Sequence, residues 1–479
     1  MSVKNSLFSA AIFGVSISAL AVPSVYAAEE QAARKLTDHQ QLARDIYRDV
    51  VGFRTARGQG QVPAMVSYLV DRFKASGFSD ADIKVTDYDS DGEATQGLMV
   101  TYRGKSGRKV KPIVLLGHMD VVDALKKDWE RAPFTLTEEE GYFFGRGTLD
   151  NKYGITNLTS TFIRLKKEGW VPSRDLVLVF SGDEETGMVS TRAQAKYVAK
   201  YIDPEFVLNS DAGGTLLSDD YKPVVFNVQA AEKTFATFEL TITNPGGHSS
   251  RPRSDNSIYE LSAALSKIAT YKFPVRETKL TRSYFGAVGK ITPGKLGQAM
   301  IGFSKDPTDQ KSVDILQANP STVGTLGTTC VATMLRAGHA ENALPQSATA
   351  TVNCRIFPGI GAAATEERLR KVIGNDAVGF KLITNVTESP VSNLRDDVAK
   401  AVRKSLDKRY PGLPILPYME SGGTDGMHYR TLGYDTVAIS GGSIRPQDMF
   451  AHGLNERMSV DAFYSGLDHW YWILKDLAK

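Results

Sequence analysis

The sequence predicts an α/β protein: a mostly parallel mixed sheet with helices on both faces, interrupted by a ferredoxin-like α+β domain. Continuous apolar runs at residues 112–116 and 176–180 read as strands buried on both faces. They alternate with helical stretches such as residues 151–167, as expected of a sheet covered on both sides. From about residue 231 the pattern becomes apolar–polar alternation, at 233–243 and 347–356, which marks strands with one solvated face.

In chain order, residues 1–27 stand apart. Lys4 supplies a positive start, residues 7–22 are apolar and uncharged, and Val25-Tyr26-Ala27 presents small residues where a signal peptidase reads. The expectation is a cleaved export signal. An uncleaved anchor fits less well, because Ser16, Ser18 and Pro23 interrupt a run that is short for a span. The chain is therefore expected to begin near Ala28 once mature, and to be periplasmic or secreted, with no membrane attachment after cleavage.

Residues 36–51 and 63–76 read as amphipathic helices, the first capped by Thr37 or Asp38, the second opened by Pro63 and closed by Gly77. Shorter apolar runs at 206–208 and 436–439 add strands. Within residues 231–388 the order is strand 233–243, helix 255–269, strands 331–335 and 347–356, helix 365–373 and strand 380–386, the split ferredoxin-like order. Residues 272–328, rich in Gly, Pro, Ser and Thr, read as an insertion in that domain. The larger domain is then 28–230 completed by 389–479.

Composition works by exclusion. With 57 Lys+Arg against 54 Asp+Glu the net charge is +3, which excludes a dedicated nucleic-acid binder. Only two cysteines, Cys330 and Cys354, are present, so neither a disulfide framework nor a cysteine zinc site is available. One bridge or two buried thiols remain open. Any metal falls to histidines and carboxylates.

Those residue types cluster just beyond the predicted strands. Residues 115–116 run into Gly117-His118-Met119-Asp120, residues 179–180 into Ser181-Gly182-Asp183-Glu184-Glu185, and Leu208 into Asn209-Ser210-Asp211. Ligands of open α/β sheets gather at the carboxyl ends of strands, so these positions can converge. Asp150 follows a glycine-rich turn, and His452 lies in Phe450-Ala451-His452-Gly453. Five oxygen and nitrogen donors suit two metals, each with one histidine and one terminal carboxylate, sharing a bridging carboxylate. In an extended backbone Asp120 shares a face with His118 and can fix its tautomer. Of Glu184 and Glu185, one can bind metal while the other takes a proton from water. Singly, each signal has a structural reading; together, so many buried charges without a cation would be costly.

Four motifs then resemble a known family. Residues 117–122 (GHMDVV), 145–152 (GRGTLDNK), 182–187 (GDEETG) and 246–252 (GGHSSRP) resemble the co-catalytic zinc family of glutamate carboxypeptidase, carnosinase-type dipeptidases, aminoacylase and succinyl-diaminopimelate desuccinylase. The motifs occur in the family's order, and the resemblance covers almost the whole mature chain. The resemblance implies a zinc-exopeptidase fold with two divalent ions, zinc first, with cobalt or manganese as alternatives. It implies His118 and Asp211 on one ion, Glu185 and His452 on the other, Asp150 bridging, Asp120 orienting His118, and Glu184 as general base. It also implies that 231–388 is a lid that commonly forms a homodimer interface. His248 would stabilise the oxyanion, often in the partner's site. Asn342 and Arg355 would bind the substrate carboxylate, and Gly423 would lie in a substrate loop, Ser421-Gly422-Gly423-Thr424-Asp425.

The implied reaction is hydrolysis of an amide bond beside a free carboxylate, by a carboxypeptidase or dipeptidase acting on a small peptide. An N-acyl-amino-acid hydrolase on the same scaffold is the alternative. A non-catalytic binding module is a remote rival, because every ligand position is filled. A phosphoesterase lacks the Lys/Arg cluster that phosphate requires. One departure stands out: Asn151 occupies a position where the family usually has a second acid, so the bridge keeps a hydrogen-bonding neighbour but loses a charge.

Overall fold

The computed structural model describes residues 35–479; the predicted export signal lies outside them. Two sheets dominate. The larger has ten strands and is mixed. Its centre is parallel: Ile113–His118 pairs with Leu176–Ser181 on one side and Phe206–Asn209 on the other, and Phe206–Asn209 pairs onward with Thr436–Ala438. Every residue of the first three strands is buried, as expected of runs covered on both faces. The outer part turns antiparallel, where Ile83–Ser90 pairs with Glu93–Tyr102 in a hairpin.

The second sheet has four strands in the order Thr329–Ala337, Ser347–Ile356, Thr234–Thr243, Gly379–Leu382, all antiparallel. Helices Ser257–Thr270 and Ala362–Ile373 cover one face, giving the expected ferredoxin-like topology and a core of Phe238, Leu240, Leu261, Val352 and Leu369. Ser347–Ile356 alternates buried with half-buried or exposed positions along its length, which is why its period of two was readable.

Residues 272–328 carry more order than their composition suggested. They form four helices, Lys279–Val288, Gly294–Lys305, Gln310–Ala318 and Pro320–Leu326, around a core of Phe285, Phe303 and Leu316. Thr278, Asn319 and the turn glycines that read as loop serve as caps and connections. The cysteine question resolves to one bridge, Cys330–Cys354, joining opposed residues of neighbouring strands. Among the described residues no helix is long and apolar enough to cross a membrane.

Candidate metal centre and active site

Three parallel strand ends deliver the first residues. His118 closes Ile113–His118; Glu184 and Glu185 follow Leu176–Ser181; Asp211 follows Phe206–Asn209. Asp150 arrives on the 145–150 turn, which a buried carboxylate organises. Glu456 accepts the N–H groups of Gly147, Leu149 and Asp150 at 3.1, 2.7 and 3.1 Å and the Arg146 guanidinium at 2.7 Å. Gly147 has φ of 87°, and a Cβ there would lie 2.8 Å from the Lys152 side chain, so this turn requires glycine. Arg146 also donates to the carbonyls of His452 and Gly453, which ties the fifth residue's loop to the same turn.

The five residues form a continuous array. His118 Nε2 lies 2.8 Å from Asp150 Oδ1 and 3.3 Å from Asp211 Oδ1. His452 Nε2 lies 3.0 Å from Asp150 Oδ2 and 2.8 Å from Glu185 Oε1. Asp150 therefore offers one oxygen to each imidazole, with a second carboxylate beyond each. Ligand atoms of His118, Asp150 and Glu185 all fall within 4.8 Å of one another.

The contact that orients His118 differs from expectation. Its Nδ1 lies 3.0 Å from the backbone carbonyl of Asp120, and the carboxylate is farther, at 3.5 Å. A carbonyl only accepts, so Nδ1 carries a proton, and Nε2 is the nitrogen turned toward Asp150 and Asp211, where it would meet a metal. The Asp120 carboxylate instead accepts the N–H groups of Glu184 and Glu185, each at 3.0 Å. A buried carboxylate must find donors, and the turn after Leu176–Ser181 exposes two. Asn151 donates to Asp211 Oδ1 at 2.6 Å and receives Ser210 Oγ on its own carbonyl oxygen at 3.3 Å.

Charge is crowded here. Burial, reinforced by Glu185, Asp211 and Asp425, holds the Glu184 carboxyl well above its usual range. Burial and then Asp150 push Glu185 to about 7, and burial with Asp150 pushes Asp211 to about 6. Burial also disfavours charge on Asp150, but hydrogen bonds to His118 and His452 outweigh it and hold that carboxyl low. Hydrogen bonds to Asp150 and Glu185 raise His452 to about 10. Carboxylates that repel one another around two imidazoles fit a pair of divalent cations by donor chemistry and by charge.

The array opens into a cavity of about 820 Å³. Asp150, Glu184, Glu185, Asp211 and His452 line it, and so do Arg355 and Gly423. Arg355 stacks over Phe235 with its guanidinium carbon 4.7 Å from the ring centroid and donates to the Ser421 carbonyl at 3.3 Å. His248 and Asn342 are not among the lining residues. They sit at a two-stranded ladder, where His248 pairs with Ala343 and Ser249 N–H donates to the carbonyl of Asn342, the turn residue before Ala343; both residues are exposed.

Sequence reasoning missed Glu456, Phe235, Tyr418 and the lining methionines Met188, Met427, Met449 and Met458. Glu456 gives no local signal, because its partners lie about 300 residues earlier. Asp425 was visible only as the end of the glycine-rich loop; it is buried and raised to about 7 by burial.

The model of peptidase family M20/M25/M40 matches residues 114–476. The chain belongs to that family. It is accordingly a hydrolase of amide bonds, in a metal-dependent family, with a candidate metal site at His118, Asp150 and Glu185. The chain is 28% identical over 401 residues to a probable carboxypeptidase S-like 2 of Dictyostelium discoideum, covering 81% of this chain and 75% of that one. It is also 28% identical over 375 residues to the human N-fatty-acyl-amino acid synthase/hydrolase PM20D1, covering 75% and 72%. The solved di-peptidase Dug1p from Saccharomyces cerevisiae shares the fold of this M20 chain, with a TM-score of 0.69 at 18% identity over 91% of this chain and 95% of that one.

Proposed function

We propose that this M20 hydrolase is an exported, dinuclear zinc enzyme that cleaves an amide bond next to a free carboxylate, in a small peptide or an N-acyl amino acid. The observation that carries the reading is one cavity lined both by Asp150, Glu185, Asp211 and His452 of the array and by Arg355. His118 and Asp211 would hold one ion and Glu185 and His452 the other, with Asp150 between them. Bound there, a divalent pair lowers the pKa of water and polarises a carbonyl oxygen.

The chain's own residues supply the rest. Arg355 draws the substrate carboxylate across the cavity by a charge-assisted hydrogen bond and so orients the scissile bond toward the array. Glu184 lines the cavity, and its raised proton affinity suits a base that takes a proton from water and gives it to the leaving amine. The amides of Glu184 and Glu185 clamp Asp120, which fixes the turn that carries the base.

A second reading within this frame is favoured by the lining. Met188, Met427, Met449, Met458, Phe235 and Ile383 face the cavity, and flexible thioethers adapt to apolar groups of varied shape. An N-acyl amino acid with an apolar acyl group suits such walls, in keeping with the relative named for N-fatty-acyl amino acids. We also assign His248 and Asn342 to the site of a second copy. The strand Thr329–Ala337 is a sheet edge with Val331, Met334 and Leu335 more than half exposed, which supports a homodimer through the 231–388 domain.

The test is a zinc-loaded screen of dipeptides, N-acyl amino acids and their carboxamide-capped counterparts. Turnover confined to free carboxylates supports the reading, and the ratio between the two panels selects peptidase or deacylase. Equal turnover of capped substrates, or none of any amide, would overturn it.

A further inference from the structure

Two buried residues flanking one short helix have no role in the reaction as drawn. Asp425 immediately precedes helix Gly426–Thr431 and is 3% exposed; Arg430 lies near its end and is 2% exposed. Asp425 grips the catalytic side. Its Oδ2 accepts Ser181 Oγ at 2.7 Å and its Oδ1 accepts Thr191 Oγ1 at 2.9 Å. Ser181 is the last residue of the strand that leads into Glu184, and its carbonyl also accepts the Met119 N–H at 2.8 Å. Just upstream, Gly422, Gly423 and Thr424 line the cavity.

Arg430 grips the other side. The chain leaves the ten-stranded sheet for the four-stranded one at Glu232 and Lys233, and returns through residues 383–395. Arg430 forms a buried ion pair with Glu232 on the first crossing and donates Nε to Ser389 Oγ at 2.8 Å on the second. It also donates to the Thr436 carbonyl at 3.2 Å. The two crossings are joined directly where Ser392 N–H donates to the Ala230 carbonyl at 2.8 Å. One helix is thus fastened to both crossings and to the strand end that carries the base.

We propose that Asp425 and Arg430 are positioning residues that couple the crossings into the 231–388 domain to the placement of Glu184, through helix Gly426–Thr431. Movement of that domain over the cavity draws on Glu232 and Ser389, turns the helix through Arg430, and shifts the Ser181 strand end through Asp425. Substrate contact at Arg355, which belongs to the moving domain, is in this way reported to the base. The inference rests on the hydrolase reading for Glu184, but the geometry of the coupling does not.

Two measurements on the full chain separate these. The first is hydrogen–deuterium exchange at residues 182–185 in wild type, Ser389→Ala, Thr191→Val and Asp425→Asn. Ser389→Ala is mild and lies outside the metal array, so it is expected to fold. Coupling requires exchange there to rise at least about threefold in Ser389→Ala, and no rise in that variant overturns the proposal. The second is turnover of a substrate that wild type cleaves. Asp425→Ala is expected to lower kcat at least tenfold with KM within about threefold, and Asp425→Asn to recover most of the loss. Ser389→Ala should lower kcat severalfold in the wild-type background and not at all in Asp425→Ala. Additive losses, or a change in KM alone, overturn the coupling. A wild type that cleaves no amide defeats the hydrolase reading and leaves the exchange experiment to decide the coupling.

Discussion

Asn151 donates a hydrogen bond of 2.6 Å to the Asp211 carboxylate at a position where a second acid was expected. The amide satisfies one oxygen of a buried carboxylate without adding charge. Asn151→Asp would set two carboxylates against each other when no metal is bound. The metal-free protein is then expected to lose about 1–3 kcal/mol, the cost of an unsatisfied buried group. The rise in melting temperature on adding zinc should grow correspondingly, because cation binding relieves a larger repulsion. Melting curves with chelator and with zinc measure both changes, and an unchanged metal-free curve would refute the account of Asn151.

Glu184→Gln keeps the shape of the proposed base and removes its proton affinity. A loss in kcat of about 100–10,000-fold is expected, with metal content equal to wild type by elemental analysis. Near-native turnover at unchanged metal content would overturn the assignment of Glu184 as base.

Arg355 lines the cavity and is partly desolvated, with Glu420 and Glu184 nearby. Arg355→Met should raise KM about 10–100-fold for free-carboxylate substrates, the loss of one charge-assisted bond. The same variant should no longer distinguish a free carboxylate from its carboxamide. If discrimination survives, another group reads the carboxylate.

His428, 6% exposed, supplies a pH dependence away from the metal array. Burial, then Arg192, lowers it from 6.5 to about 4. The unfolded chain therefore takes up the proton first as pH falls. The stability contributed by neutral His428 is complete above pH 6.5 and is lost as pH drops toward 4, by on the order of 3 kcal/mol. Urea unfolding of metal-free wild type and His428→Gln at several pH values in this window should show a smaller slope for the variant; parallel slopes would contradict it.

The legible parts of the sequence were those in which local pattern and tertiary environment agree. The strand Ser347–Ile356 was bounded without error because each inward residue meets a core and each outward one does not. The glycine-rich turn before Asp150 was readable because Gly147 must adopt a positive φ. The helices of 272–328 were obscured by the same residues that cap them. The way Asp120 meets His118, through its carbonyl more closely than its carboxylate, has a similar origin. Spacing places its side chain near His118, but the carboxylate is claimed by two backbone amides 64 and 65 residues away.

The sequence by itself determined the two-sheet architecture, the family and the identity of the five candidate ligands, because each is written in a short run or a motif. Tertiary structure alone decided how they meet. It set Asp150 between two imidazoles, put Arg355 in the same cavity, left His248 and Asn342 outside it, and recruited Glu456, Asp425 and Arg430 to hold the loops. The physical reason is burial. A buried charge must find partners wherever the fold brings them, and those partners lie tens to hundreds of residues away, beyond the reach of any local pattern.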